Sequence, residues 1–263
     1  MNYGLYLSAS GVLTNLYRQD VFANNLANVK TVGFKPDVAM VRQRDPESIE
    51  SGAPMKLRNR LLDRLGGGVF AGPQHLNLRQ GNLTKTGAGM DVALGDPSAF
   101  FVTSVPDGVR GAMVERLTRD GRLTIDGRNF LVTASGGHRL VNERGRPVKI
   151  EPQSAMPTIT ETGQVMQGEK MVARLKVVQV AAPEKLLKEG GNLLRYDGAV
   201  EELRINPRPN LHTGAVESSG VDPIKALMDV INATKSVTSN GNMIRYHDLL
   251  MDRAVNVLGR VQA

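Results

Sequence analysis

Four histidines, His75, His138, His212 and His247, are the side chains here best suited to metal ligation or proton transfer near neutral pH. None has a second histidine or an acid at ligand spacing, and no H-E-x-x-H occurs, so each reads as a surface or turn residue. Glu201-Glu202, or Glu115 with Asp120, could supply the carboxylate pair of a glycosidase, but spacing along the chain selects no pair. Gly66-Gly67-Gly68-Val69-Phe70-Ala71-Gly72 lacks the Lys-Ser/Thr ending of a phosphate-cradling loop and reads as a flexible turn. Thr133-Ala134-Ser135-Gly136-Gly137 sets a serine among glycines without the G-x-S-x-G elbow, as a hairpin turn does. The absence of cysteine excludes a disulfide framework and any thiolate metal site. No catalytic, cofactor-binding or metal-binding residue is therefore expected. What remains unexplained is a cluster of amides, Asn24, Asn25 and Asn28, among small apolar residues in ANNLANVKTVGFKP.

The elements that must carry those amides can be read from periodicity. From Leu5 the residues Leu5, Ala9, Val12, Leu16, Gln19, Ala23 and Leu26 recur at alternating steps of four and three, which is heptad spacing. At the other end Asp222 can cap a helix that starts on Pro223. Within it Leu227, Val230, Thr234, Val237, Gly241, Ile244, Asp248, Met251, Val255 and Leu258 repeat the same alternation. Ser239-Asn240-Gly241-Asn242 interrupts with turn-forming residues and costs about 1 kcal/mol for the glycine alone; continuity with a weak point there is expected. Two helices of roughly 40 Å at 1.5 Å per residue overhang a small β domain. They are expected to form an antiparallel pair that leaves further apolar surface for other copies.

Between them, short apolar runs alternate with turn signals such as Asp107-Gly108, Asp120-Gly121, Asp126-Gly127 and Asp197-Gly198, the pattern of a meandering antiparallel β domain. The fold class expected is α+β: a discontinuous helical coiled-coil domain from the two chain ends and a central, mainly antiparallel β domain. The boundaries are 1–35 for the N-terminal helix, 36–75 for an extended arm, 76–220 for the β domain and 221–263 for the C-terminal helix. In 263 residues, 28 Gly and 13 Pro argue for many turns. A net charge of +7 raises nucleic acid as a partner, but the charge is scattered and aromatic residues are 4% with no Trp, so base-stacking platforms are scarce. Clusters such as Lys56, Arg58, Arg60 and Arg64, or Arg116, Arg119, Arg122 and Arg128, read as solvated surface. No stretch reaches the roughly 20 apolar residues of a membrane span, so no membrane insertion is expected. The N-terminus lacks the basic start and unbroken apolar core of a cleaved signal.

Ala23-Asn24-Asn25-Leu26-Ala27-Asn28-Val29-Lys30-Thr31-Val32-Gly33-Phe34-Lys35 resembles the N-terminal signature of the flagellar basal-body rod and hook proteins, ANNLAN-x-x-T-x-GFK. The resemblance continues through Gln80-Gly81-Asn82-Leu83, Met90-Asp91-Val92-Ala93-Leu94, Ala99-Phe100-Phe101-Val102, Leu117-Thr118-Arg119-Asp120-Gly121 and Leu131-Val132-Thr133, and ends on Gly214-Ala215-Val216-Glu217-Ser218-Ser219-Gly220-Val221-Asp222. Ser219-Gly220 stands where the family usually has Ser-Asn, and Leu117 where it usually has tyrosine. The resemblance implies a building block of the periplasmic rod, which assembles with its own copies and with other rod and hook subunits; Arg204-Ile205-Asn206-Pro207 leading into Leu211-His212-Thr213-Gly214 favours the proximal type, with a distal rod subunit, or a secreted β-rich hydrolase, as the alternatives. The resemblance also implies paired terminal helices lining a tube, and export through the flagellar type III apparatus without a cleaved signal.

On that reading the amides gain a role. An amide in a helical bundle selects one register, because a wrong pairing leaves donors unsatisfied at about 1–3 kcal/mol each. Asn24, Asn25 and Asn28, with Leu26, are expected to set how one subunit's helix end meets the next. Gly33 is expected to permit a positive-φ turn, Phe34 to anchor the exit into the β domain, and Pro36 to stop the helix.

Overall fold

The computed structural model describes residues 3–50, 66–106, 112–152 and 155–258. The basic run Lys56 to Arg64 and the Asp107-Gly108 turn lie outside the described residues, as does the side chain of Leu258. The chain divides into two compact units, one of Met1–Ala27, Asp37–His75 and Asp222–Ala263, the other of Asn28–Pro36 and Leu76–Val221.

The first unit contains the helices α1 (Tyr3–Ala27), α2 (Glu47–Glu50) and α3 (Pro223–Arg253), and the short strands β1 (Asp37–Val38), β2 (Val41–Gln43) and β3 (Val69–Ala71). α3 begins as its sequence requires: the Asp222 carboxylate accepts from the amides of Ile224 at 2.9 Å and Lys225 at 3.1 Å, with Pro223 in the first turn. It runs unbroken through Ser239–Asn242. The hydroxyls of Thr234, Ser236 and Thr238 each donate to the carbonyl four residues back, so they do not compete for the helix amides.

α1 and α3 pack antiparallel. A Cβ on Gly4 would lie 2.6 Å from the His247 ring and one on Gly11 2.7 Å from the Asn240 amide, while Ala226 and Ala233 are buried. The contact line is therefore made of small residues that let the backbones approach. Leu5, Val12, Val230, Val237 and Ile244 are half-buried, whereas Leu16, Leu227, Met251 and Val255 are exposed. Val21 on α1 is buried. α1 also stops at Ala27, short of residue 35, because Asn28 to Pro36 joins the second unit.

The second unit follows from its strands, β5 (Leu83–Lys85), β6 (Val92–Leu94), β7 (Ala99–Pro106), β8 (Met113–Thr118), β9 (Leu123–Ile125), β10 (Leu131–Thr133) and β11 (Arg139–Leu140), preceded in the chain by β4 (His75–Leu76). After them come β12 (Pro157–Ile159), β13 (Gln164–Gln167), β14 (Lys170–Arg174), β15 (Val177–Val180), β16 (Leu186–Gly190), β17 (Leu193–Tyr196), β18 (Leu203–Ile205), β19 (Leu211–Thr213) and β20 (Ala215–Glu217). The largest sheet runs β16-β17-β8-β7-β11-β10-β9, with β15 and β18 also joined to it, and all its pairings are antiparallel.

β7 lies at its centre and reads as a continuous apolar run, not an alternating one, because both of its faces are covered. Phe101 packs into a core with Val92, Leu94, Leu131 and Leu211, and Phe100 into a second core with Val102, Leu117, Val178 and Leu194. The chain's last strands return to its first: β19 pairs β6 and β20 pairs β5. That return brings the signature segments together.

Candidate functional site

The β20–β5 pairing places Glu217 in the interior at 1% exposure, where an isolated carboxylate would be prohibitively desolvated. Two cations from distant parts of the chain meet it. Lys35 Nζ lies 2.7 Å from Oε1 and Arg119 Nε 2.7 Å from Oε2, and both cations are buried. The amide of Gly81 also donates to Oε1, at 2.9 Å. Four signature segments, those of Gly33-Phe34-Lys35, Gln80-Gly81, Thr118-Arg119-Asp120-Gly121 and Val216-Glu217, thus converge on one carboxylate.

Two cations and one anion leave one positive charge in excess, and backbone carbonyls absorb it. Lys35 donates to the carbonyls of Arg79 at 2.8 Å and Leu78 at 3.3 Å. Arg119 donates to those of Ala99 at 2.6 Å, Asp96 at 2.9 Å and Pro97 at 3.0 Å. Burial first, and the Arg119 charge second, lower the pKa of the Lys35 ammonium, while Glu217 opposes both. Both oxygens of the Glu217 carboxylate are engaged by donors and buried. The cluster is a joint between distant chain segments.

The glycines of the motifs are required by close backbone approach at this joint. Gly33 has φ +69°, and a Cβ on it would lie 2.3 Å from the Arg119 carbonyl oxygen; its amide donates to the Glu217 carbonyl at 2.7 Å. A Cβ on Gly121 would lie 1.6 Å from the Val92 carbonyl oxygen. Phe34 is buried with the Lys188 ammonium 4.0 Å from its ring centroid, and its carbonyl accepts from the amide of Gly220 at 2.9 Å. The position where the family usually has asparagine therefore lies against the Gly33-Phe34-Lys35 segment.

Asn25 is buried and clamps the returning chain of its own unit, donating to the Asp37 carbonyl at 2.8 Å and accepting from the Asp37 amide at 3.0 Å. Its amide is thus spent within the subunit. Asn28 accepts from the Thr31 hydroxyl at 3.1 Å in the turn that ends α1, Asn24 is exposed, and Leu26 is half-buried.

In the sequence, Lys35 and Glu217 stand only as motif members and Arg119 as part of a cluster that reads as solvated surface, whereas all three are buried. The available signal was that three glycine-containing segments each carry a charge, and that the charges are of opposite sign. His247 is likewise no turn residue, since it packs on Gly4. The carboxylates considered for acid/base work are committed elsewhere: Glu115 to Lys176 at 2.7 Å, Glu202 to Lys185 at 2.8 Å, and Asp120, buried, to the Ser135 hydroxyl and the Arg122 amide. Burial raises the Asp120 pKa. Among the described residues, no group of His, Asp and Glu is placed to hold a metal ion, and no helix is long and apolar enough to cross a membrane.

A profile described as "Flagella basal body rod protein" matches residues 5–35, the stretch that ends on Lys35 of the joint. The chain is 30% identical over 268 residues to the flagellar basal-body rod protein FlgF of Caulobacter vibrioides, an alignment covering 99% of this chain and 100% of that one. It is 29% identical to the flagellar hook-basal body complex protein FlhP of Bacillus subtilis, over 93% of this chain and 96% of that one. It is also 29% identical to the flagellar basal-body rod protein FlgG of Buchnera aphidicola from Acyrthosiphon pisum, over 95% and 97%. The chain belongs to the flagellar basal-body rod protein family. It is a structural protein of the flagellar basal body, associated with other components of that body.

Proposed function

We propose that this chain is a subunit of the periplasmic rod that polymerises with its own copies and with other rod and hook subunits into a hollow shaft carrying torque from motor to hook. The observation that carries this is the apolar surface left beside the α1–α3 contact. Leu13 is 69% exposed on α1, and Met228, Tyr246 and Leu250 are 58%, 63% and 61% exposed on α3. Copies packed side by side would bury these exposed apolar side chains. A shaft built this way is stiff because twisting it must disrupt packed contacts in every subunit.

The work is mechanical, not catalytic. Export proceeds through the flagellar type III apparatus without a cleaved signal, and neither nucleic acid nor membrane insertion takes part. The proximal position is supported by the end-to-end alignment with the Caulobacter FlgF protein, and the distal position is the alternative, with FlgG proteins at 29% identity. The test is to delete the gene, purify basal bodies and locate a tagged copy in complemented cells. Rods that stop short of the distal segment support the proximal reading. Rods that reach it but carry no hook support the distal one, and full-length rods without the tag refute both.

A further inference from the structure

The excess positive charge of the chain is concentrated in one part of the β unit. Residues 122–149, which carry β9, β10 and β11, hold six Lys or Arg and two acids, a net +4 of the chain's +7. Arg122, Arg128, Arg144, Arg146 and Lys149 are exposed, and among the described residues none of them forms an ion pair, although Arg122 also feels the buried Asp120 carboxylate. The two acids of the segment are engaged: Asp126 lies 3.8 Å from Arg139 and Glu143 3.7 Å from Arg174. Phe130 gathers two of the cations, with Arg139 4.4 Å and Lys149 6.0 Å from its ring centroid. Like charges at this density repel one another unless an anionic surface meets them.

The same unit carries such a surface. Residues 183–202, which carry β16 and β17, hold five acids and three Lys or Arg, a net −2 in a basic chain. The acids gather at the base of the β16–β17 hairpin, where Leu186 stands opposite Tyr196: the Asp197 amide donates to the Lys185 carbonyl at 2.9 Å, and Glu202 accepts from Lys185 at 2.8 Å and from the Tyr196 hydroxyl. Glu184 and Glu201 are exposed and form no ion pair among the described residues, and the Asp197 side chain is 66% exposed. The tip of the hairpin, not its base, is the end nearest the basic segment, since a Cβ on Gly191 would lie 3.3 Å from the His138 ring. Five residues of extended chain, about 15 Å at 3.3 Å per residue, separate that tip from Leu186. Exposed charges are screened over about 8 Å at physiological salt, so one subunit does not neutralise its own two patches.

We propose that the basic segment 122–149 of one subunit binds the acidic base of the β16–β17 hairpin of a second copy. The two patches differ, so the contact is heterologous: each subunit offers one patch to the copy before it and the other to the copy after it, and repetition builds a ring or a helix instead of a closed pair. The inference rests on the polymerisation proposed above and adds to it a contact in the β unit. Charge complementarity of this kind orients the incoming copy and speeds its arrival more than it tightens the final assembly.

The test follows self-association of the full chain by the initial rate of light scattering, with circular dichroism as the check on folding. Wild type is expected to associate at least about tenfold more slowly in about 500 mM salt than in about 50 mM. R128E/R146E/K149E turns the basic patch from a net +4 to −2, and E184K/E201K turns the acidic one from −2 to +2; all five side chains are exposed. Each variant alone is expected to associate at least about tenfold more slowly than wild type in about 50 mM salt. An equimolar mixture is expected to return to within about threefold of wild type, because each variant then meets opposite charge at both of its patches. Either variant associating alone at the wild-type rate, or a mixture no faster than its parts, would overturn the proposal. Salt-independent assembly of wild type would overturn it and leave polymerisation through the helices standing, whereas wild type that never assembles would remove both.

Discussion

Replacing Glu217 by glutamine keeps its shape and removes its charge. Lys35 and Arg119, at 2% and 0% side-chain exposure, would then face one another across a neutral amide, with Gly81 still donating to its oxygen. Removing one partner of a buried ion pair costs about 3–5 kcal/mol, because the stranded charge keeps its desolvation penalty, and here two cations are stranded at once. The carbonyls that surround them soften the loss, so E217Q is expected to cost about 4 kcal/mol. That is a large share of the roughly 5–15 kcal/mol that holds a domain together. At a urea slope of about 2 kcal/mol/M the unfolding midpoint of the β unit should fall by about 2 M, followed by circular dichroism of the purified chain. The companion variant K35M/E217Q removes one stranded cation as well and should recover part of the loss, although each substitution alone is destabilising. If E217Q unfolded within about 0.5 M of wild type, the joint would be a bystander and the convergence of the motifs would need another cause.

Other perturbations separate the close approaches from the open positions. G33A should cost at least about 2 kcal/mol, from left-handed backbone plus a collision with the Arg119 carbonyl, whereas G241A, which meets nothing within 4 Å inside a helix, should stabilise by about 0.5–1 kcal/mol; parallel urea titrations distinguish them. N25A leaves the Asp37 amide and carbonyl without partners and should cost about 1–3 kcal/mol in the helical unit at protein concentrations where no assembly occurs, read by thermal melts. Burial raises the folded pKa of Asp120 above its ordinary 3.8, so the native chain binds more protons than the unfolded one between those two values. Its contribution is therefore greatest at the acid end and falls as pH rises through that window, and the stability of wild type relative to D120N should decline in the same direction. The Tyr196 phenol, pushed up to about 12 first by its bond to Glu202, should titrate back toward 10.0 in E202Q, followed by phenolate absorbance.

Periodicity in the sequence carried the terminal helices and the α+β architecture, because heptad spacing and turn dipeptides are local properties. The closest approach of the two helices follows a different rule. Counting large apolar residues selects Leu16, Leu227 and Met251, but two backbones that approach closely require Gly4, Gly11, Ala226 and Ala233, whose small size gives them little weight in a hydrophobic pattern. The end of α1 has both a local and a long-range part. The helix ends in a local turn in which Asn28 accepts from the Thr31 amide and hydroxyl at 3.1 Å each, and the Glu217 carbonyl, from the far end of the chain, then holds the Gly33 amide at 2.7 Å. The buried charges were invisible on the same grounds. Lys35 and Glu217 are separated by 182 positions and Arg119 and Glu217 by 98, and a cation in isolation reads as surface.

The joint also accounts for why the signature lies at both ends of the chain. Glu217 comes from the last strand before α3 and Lys35 from the segment just after α1, and Gly33 and Phe34 exchange backbone bonds with Glu217 and Gly220. The β unit therefore takes in the chain and releases it at one place. An antiparallel pair of terminal helices can close only when the two ends are delivered together. Interior apolar packing could hold the strands without fixing where they begin and end, since it is non-directional. A carboxylate that must satisfy one donor from each of Lys35, Gly81 and Arg119 tolerates no such slippage, because any other register leaves a buried charge unpaired.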